Sequence, residues 1–122
     1  MSRVALVTGG TRGIGAAIAI ALKNAGCKVA ANYAGNDEAA AGFKKETGIP
    51  AYKWSVADYD ACAAGIAQVE ADLGPVDILV NNAGITRDAP FHKMTREQWR
   101  EVMDTNLNGV FNMTHPLWGG MR

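Results

Sequence analysis

Short unbroken apolar runs alternate along the chain with stretches whose apolar residues return every three or four positions, the first pattern predicting buried strands and the second amphipathic helices. Val4-Ala5-Leu6-Val7-Thr8 is such a run, closed by Gly9-Gly10, and Ile14, Ile18, Ala21, Leu22 and Ala25 follow at helical spacing. Gly26 stands where a helix C-terminus favours glycine. Lys28 to Asn32 is a second run, followed by a helix capped at Asn36 or Asp37 and carried to about Thr47. Gly48-Ile49-Pro50 ends that helix, and Ala51 to Ser55 reads as a third strand. Asp58 is placed to cap a helix in which Cys62, Ile66, Val69 and Leu73 share a face. After Gly74-Pro75, Val76 to Val80 forms a fourth run, apolar except for Asp77, that terminates in Asn81-Asn82-Ala83-Gly84 and a loop through Pro90. Thr95 and Gln98 have the spacing of a capping box and open one long helical pattern through Val102, Met103, Leu107 and Val110 to the end of the chain.

Strand and helix alternate four times, with connections long enough for crossovers, so the expected fold is α/β: a doubly wound parallel sheet in the order 3-2-1-4 with helices on both faces, in a single domain over residues 1–122. Twelve basic and twelve acidic residues cancel, which removes any general attraction to nucleic acid or an anionic membrane surface. Fourteen glycines exceed the usual share and call for tight turns or close backbone approach. Cys27 and Cys62 lie far apart with no CxxC spacing and no histidine nearby, so reduced core thiols and no metal site are expected. No stretch approaches 18 uninterrupted apolar residues; the expectation is a soluble, cytoplasmic protein without a membrane span.

The chemistry concentrates in Thr8-Gly9-Gly10-Thr11-Arg12-Gly13-Ile14-Gly15, between the first strand and the first helix. Backbone N–H groups at a helix N-terminus attract a pyrophosphate, and glycines remove the side chains that would hold the phosphates off. A Walker A loop is excluded because Ala16, and no lysine, follows Gly15. The glycine spacing is Gly-x-x-x-Gly-x-Gly, and about seventy residues later Asn81-Asn82-Ala83-Gly84 closes the fourth strand.

That pair of motifs, in this order and on these elements, resembles the short-chain dehydrogenase/reductase family, over the whole chain but over only the N-terminal half of the family's single Rossmann domain. Val76 to Asp88 is similar to 3-oxoacyl thioester reductases, and Phe91-His92-Lys93-Met94-Thr95 with Phe111-Asn112-Met113-Thr114 resembles bacterial acetoacetyl-CoA reductases more than acyl-carrier-protein reductases. The resemblance implies cofactor contacts at Gly9, Thr11, Arg12, Gly13, Ile14, Gly15, Asn32, Ser55, Val56, Asn82, Ala83 and Gly84. The family often has Asp before the valine of its adenine pocket; Ser55-Val56 departs from that pattern. Proteins of this fold that select NAD place an acid at the end of the second strand, whereas Asn32-Tyr33-Ala34-Gly35 carries none before Asp37 and Arg12 is positioned for a 2′-phosphate, which favours NADP(H). Asn81 could join the ends of neighbouring strands through an amide that both donates and accepts.

Asn106 matches the helix asparagine of the family's Asn-Ser-Tyr-Lys tetrad and is the one catalytic residue implied here; no Tyr-x-x-x-Lys occurs, and the serines are Ser2 and Ser55. The resemblance implies NADPH-dependent reduction of a short 3-oxoacyl thioester carried on CoA or acyl carrier protein, with catalysis completed by a C-terminal half not in this chain and with homo-oligomeric assembly. A non-catalytic nucleotide-binding module stands as the alternative. A receiver-type domain would need a strand-end Asp, and the first, third and fourth runs end in Thr8, Ser55 and Asn81. His92 and His115 read as polar surface residues.

Overall fold

A computed structural model describes residues 2–84 and 91–121. Its elements are β1 (Val4–Thr8), α1 (Gly13–Asn24), β2 (Lys28–Tyr33), α2 (Asp37–Thr47), β3 (Ala51–Lys53), α3 (Tyr59–Leu73), β4 (Ile78–Val80), a 3-10 turn (Phe91–Lys93), α4 (Arg96–Met103), a π-helical turn (Asp104–Asn108) and α5 (Gly109–Met121). The strands are parallel in the order β3-β2-β1-β4, as the alternation predicts. Ala5, Leu6 and Val7 pair with Ile78, Leu79 and Val80, so the order reverses direction between β1 and β4. The loop expected through Pro90 lies outside the described residues from Ile85 onward.

β1 is buried along its whole length, and its alternating side chains build two cores. Val4 and Leu6 join Trp54, Val56, Cys62, Ile66, Val69, Met113 and Leu117 under α3 and α5. Ala5 and Val7 join Ala19, Val29, Ala31, Phe43 and Ile49 under α1 and α2. An apolar central strand covered on both faces is the arrangement parallel sheets require.

Three boundaries differ from the pattern-based reading. β3 stops at Lys53 because the Trp54 carbonyl is taken by a side chain, Asn32 Nδ2 donating to it at 3.0 Å. β4 starts at Ile78 because Asp77 is occupied at the start of β1: its Oδ2 accepts from the Val4 N–H at 2.9 Å, while Val76 N–H donates to Glu70. The single last helix is interrupted by the π turn, which inserts a wider turn without ending the helical path. The capping box at Thr95 and Gln98 is present, with both reciprocal bonds.

Candidate functional site

A cleft of about 440 Å³ opens at the carboxyl ends of the strands, beside the point where the strand order reverses, the position at which open α/β sheets take their ligands. Gly9, Thr11, Arg12 and Gly13 line one side, Asn32 to Asn36 and Trp54 to Val56 another, and Asn82, Ala83, Gly84 and Thr105 the third.

The glycine loop shapes the first side. Gly13 has φ +59° and nothing within 4 Å of where a Cβ would stand, so a left-handed backbone faces open space. Gly15 serves differently, since a Cβ there would lie 2.6 Å from Asn82 Nδ2 and 2.8 Å from the Gly9 carbonyl carbon. Its bare α-carbon lets α1 press against the loop from behind. Arg12 occupies the N-cap of α1 with extended backbone and no side-chain capping bond, and the first turn holds no acidic residue. The N-terminal amides of α1 are therefore not taken by a cap side chain and carry the positive end of the helix dipole toward the cleft.

Thr8 fastens the first side to the third. Its hydroxyl accepts from the Asn82 and Ala83 N–H groups, both at 2.9 Å, and donates to the Val80 carbonyl at 3.3 Å. Asn82 Nδ2 donates to the Gly9 carbonyl at 3.2 Å. Asn82, and not Asn81, therefore joins the strand ends: the Asn81 amide turns to Thr114 on α5, at 3.3 Å. Adjacent side chains leave an extended segment on opposite sides, and the sequence alone did not decide which asparagine faced β1.

On the second side, Asn32 is buried with its amide committed to Trp54, a structural clamp between β2 and β3. Asp37, the nearest acid after β2, is not among the lining residues; Lys53 Nζ stands 3.2 Å from it and the Tyr33 hydroxyl donates to it at 3.1 Å. The hydrogen bond from Lys53, then that from Tyr33, holds its carboxyl below the usual range. Among the described residues no carboxylate lines the cleft, and Arg12 is the charged residue of its lining. Ser55 accepts from the Ala57 N–H at 3.2 Å, and the Val56 carbonyl accepts from the buried Asn112 amide at 2.8 Å.

The expected contact residues thus gather around one cleft, except that Gly15 lies behind the loop and Ile14, 75% exposed, is not among the lining residues. Asn106 also stands outside the lining but faces it: a Cβ on Gly84 would come within 3.2 Å of Asn106 Oδ1. It lies in the π turn, where the neighbouring Thr105 reaches the cleft. The expected contacts omitted the lining residues Tyr33 to Asn36, Trp54 and Thr105, and the joining hydroxyl of Thr8. Of these, Thr8 alone carried a signal, as the hydroxyl that ends an otherwise apolar strand.

Of the remaining titratable groups, Tyr33 lines the cleft, whereas Tyr52, Cys62 and His115 are not among its lining residues. Burial, then a hydrogen bond to Asp72, pushes the Tyr52 hydroxyl up to about 12. Tyr33 is raised as well, by desolvation first and then by Asp37. Burial pushes the Cys62 thiol up to about 11 against a weaker opposing effect of Trp54, as befits a core thiol. His115 accepts or donates at Nδ1 with the Tyr59 hydroxyl at 2.8 Å and stacks on Phe111 at the surface. Among the described residues no helix is long and apolar enough to cross a membrane.

The sequence model of the short chain dehydrogenase family matches residues 3–122. An acetoacetyl-CoA reductase of Rhizobium meliloti (strain 1021) is 79% identical over the whole of this chain, which covers 51% of that protein. An acetoacetyl-CoA reductase of Paracoccus denitrificans is 75% identical, again over the whole chain and 50% of its own length. Among solved structures, a blue fluorescent protein from a metagenomic library, in complex with NADPH, superposes with a TM-score of 0.89 at 33% identity, over 98% of this chain and 51% of that one. The chain spans about half the length of the relatives it matches.

Proposed function

This chain belongs to the short chain dehydrogenase family, and from that premise we propose that it forms the cofactor-binding part of a cytoplasmic, homo-oligomeric NADPH-dependent reductase that converts acetoacetyl-CoA to 3-hydroxybutyryl-CoA. The observation that carries the choice of cofactor is the cleft's charge: Arg12 stands at its phosphate-loop side, and no acid lines the end of β2. The residues fit such a ligand, because Gly13 leaves open space before uncapped helix amides and the α-carbon of Gly84 stands bare beside Asn106.

In this reading the amides at the start of α1 hold the pyrophosphate and Arg12 forks onto the 2′-phosphate. Trp54 to Val56 form the wall for the adenine, and Asn82 to Gly84 approach the nicotinamide ribose. When bound, the nicotinamide supplies the hydride. Asn106, by its match to the family's helix asparagine, helps hold the proton path. The tyrosine acid and its lysine are assigned to the half of the relatives' length that this chain does not span, since no Tyr-x-x-x-Lys occurs in it.

The test is a fluorescence titration with NADPH. Gly13→Asp puts a carboxylate and a Cβ into the open space before the helix amides, and binding should fall below detection at concentrations that saturate the unaltered protein. Undiminished affinity would remove the glycine loop from the site. The protein at its relatives' length should reduce acetoacetyl-CoA with NADPH, and the 122-residue chain alone should not. Saturable turnover by the 122 residues would overturn the assignment of the acid. Preference for an acyl-carrier-protein thioester in the same assay would replace the substrate and keep the chemistry.

A further inference from the structure

We propose that Gly65 on α3 and Gly109 at the start of α5 are positioning residues for the cleft: they seat Trp54 and Val56 from below and so set the affinity of the wall these two residues form. The inference rests on the cleft's being a dinucleotide site.

Trp54 lines the cleft and at the same time belongs to the core under α3. A Cβ on Gly65 would stand 2.5 and 2.6 Å from Cδ2 and Cζ3 of the indole, inside the ring's van der Waals envelope. The indole N–H is buried with no hydrogen-bond partner of ordinary geometry, its one polar neighbour being the weakly interacting Cys62 thiol, so packing sets the depth of the ring. Val56 repeats the arrangement: a Cβ on Gly109 would come 2.7 Å from its Cγ2 and 3.3 Å from its Cβ. Both glycines lie in helical segments, where glycine is disfavoured and where neither needs a positive φ. Their common property is that each leaves room for one wall residue.

An alanine at either seat must move something. Cys62, Ile66 and Met113 close off the core side, and interiors at crystal-like density yield little, whereas the cleft is open. The displaced indole or isopropyl group therefore advances into the cleft. Because the wall would contact a part common to both nicotinamide dinucleotides, Gly65→Ala and Gly109→Ala should weaken NADPH and NADH by the same factor, about tenfold or more, the scale that an ångström-level misplacement produces.

The protein at its relatives' length, with Trp99→Phe and Trp118→Phe leaving Trp54 as the sole tryptophan of residues 1–122, supplies a second readout. Gly65→Ala should shift Trp54 emission to the red as the ring enters solvent. Adding Trp54→Leu to Gly65→Ala, or Val56→Ala to Gly109→Ala, should return affinity to that of the wall variant alone. Unchanged emission and unchanged Kd in Gly65→Ala would overturn the proposal, as would lower thermal stability with no change in Kd. Should Gly65→Ala fail to fold, the double variant with Trp54→Leu must fold and bind like Trp54→Leu itself; equal failure would show that Gly65 acts through some other contact. Absence of dinucleotide binding by the unaltered protein would instead sink the functional reading, while the emission shift would still report whether Gly65 seats the ring.

Discussion

Arg12 bears the most chemistry per residue in this cleft. Among the described residues its side chain enters no ion pair or hydrogen bond, so it is available to a ligand anion. Arg12→Ala should weaken NADPH by about 1.5–3 kcal/mol, the range for a charge-assisted hydrogen bond, and leave NADH nearly unchanged. Paired titrations check it; equal losses for both cofactors would make Arg12 a support of the loop. At this scale the sequence located the cleft lining wherever it rests on backbone and spacing, as at Gly9, Gly13 and Gly84. Side-chain direction was less legible. The assignment of the strand joint to Asn81 failed by one position because alternation along an extended segment is invisible until its register against β1 is known. Trp54 was missed because a tryptophan that is both core and cleft wall looks in sequence like core.

Helices were readable to within a residue or two because their ends are chemical. Asn36 accepts from Ala39 N–H at 2.9 Å, Asp58 from Ala61 N–H at 3.1 Å, and Gly48 closes α2 with φ +74°. Asp58→Ala should therefore destabilise the protein by about 1 kcal/mol, the usual worth of an N-cap. A thermal melt should fall by a few degrees with no change in NADPH affinity, since Asp58 does not line the cleft. A loss of affinity would mean that α3 transmits more to the wall than its cap explains. Strand ends were less readable, because β3 and β4 are cut short by side chains that replace ladder partners, Asn32 in one case and Asp77 in the other. The π turn was unreadable from apolar spacing, because one extra residue in a turn shifts the pattern by less than the scatter of real helices.

For the molecule at large, β4 has β1 as its one strand neighbour among the described residues, and Trp99, Leu107, Phe111 and Trp118 are each more than half exposed along α4, the π turn and α5. An open parallel edge and an uncovered aromatic face both favour pairing with another copy. The 122-residue chain should therefore self-associate, and light scattering across a concentration series should show mass rising with concentration. A monodisperse monomer at high concentration would show that this face is stable in water. The order 3-2-1-4 was legible because right-handed crossovers leave few alternatives. Which apolar residues stay exposed was not, because periodicity reports that a helix has an apolar face and not what covers it.

The bonds from Asn82 and Ala83 to Thr8 close a span of more than seventy residues. During synthesis the glycine loop leaves the ribosome early, yet the other lip of its cleft does not exist until β4 has been made and has found β1. Such long loop closures are the slow events of folding. A chain holding only the loop and first helix should thus have little grip on a dinucleotide, and binding competence should arrive in one step with the β1–β4 pairing. By mass action the ligand then rewards that late pairing alone, so NADPH should slow unfolding of the finished sheet while leaving the earliest folding phase untouched.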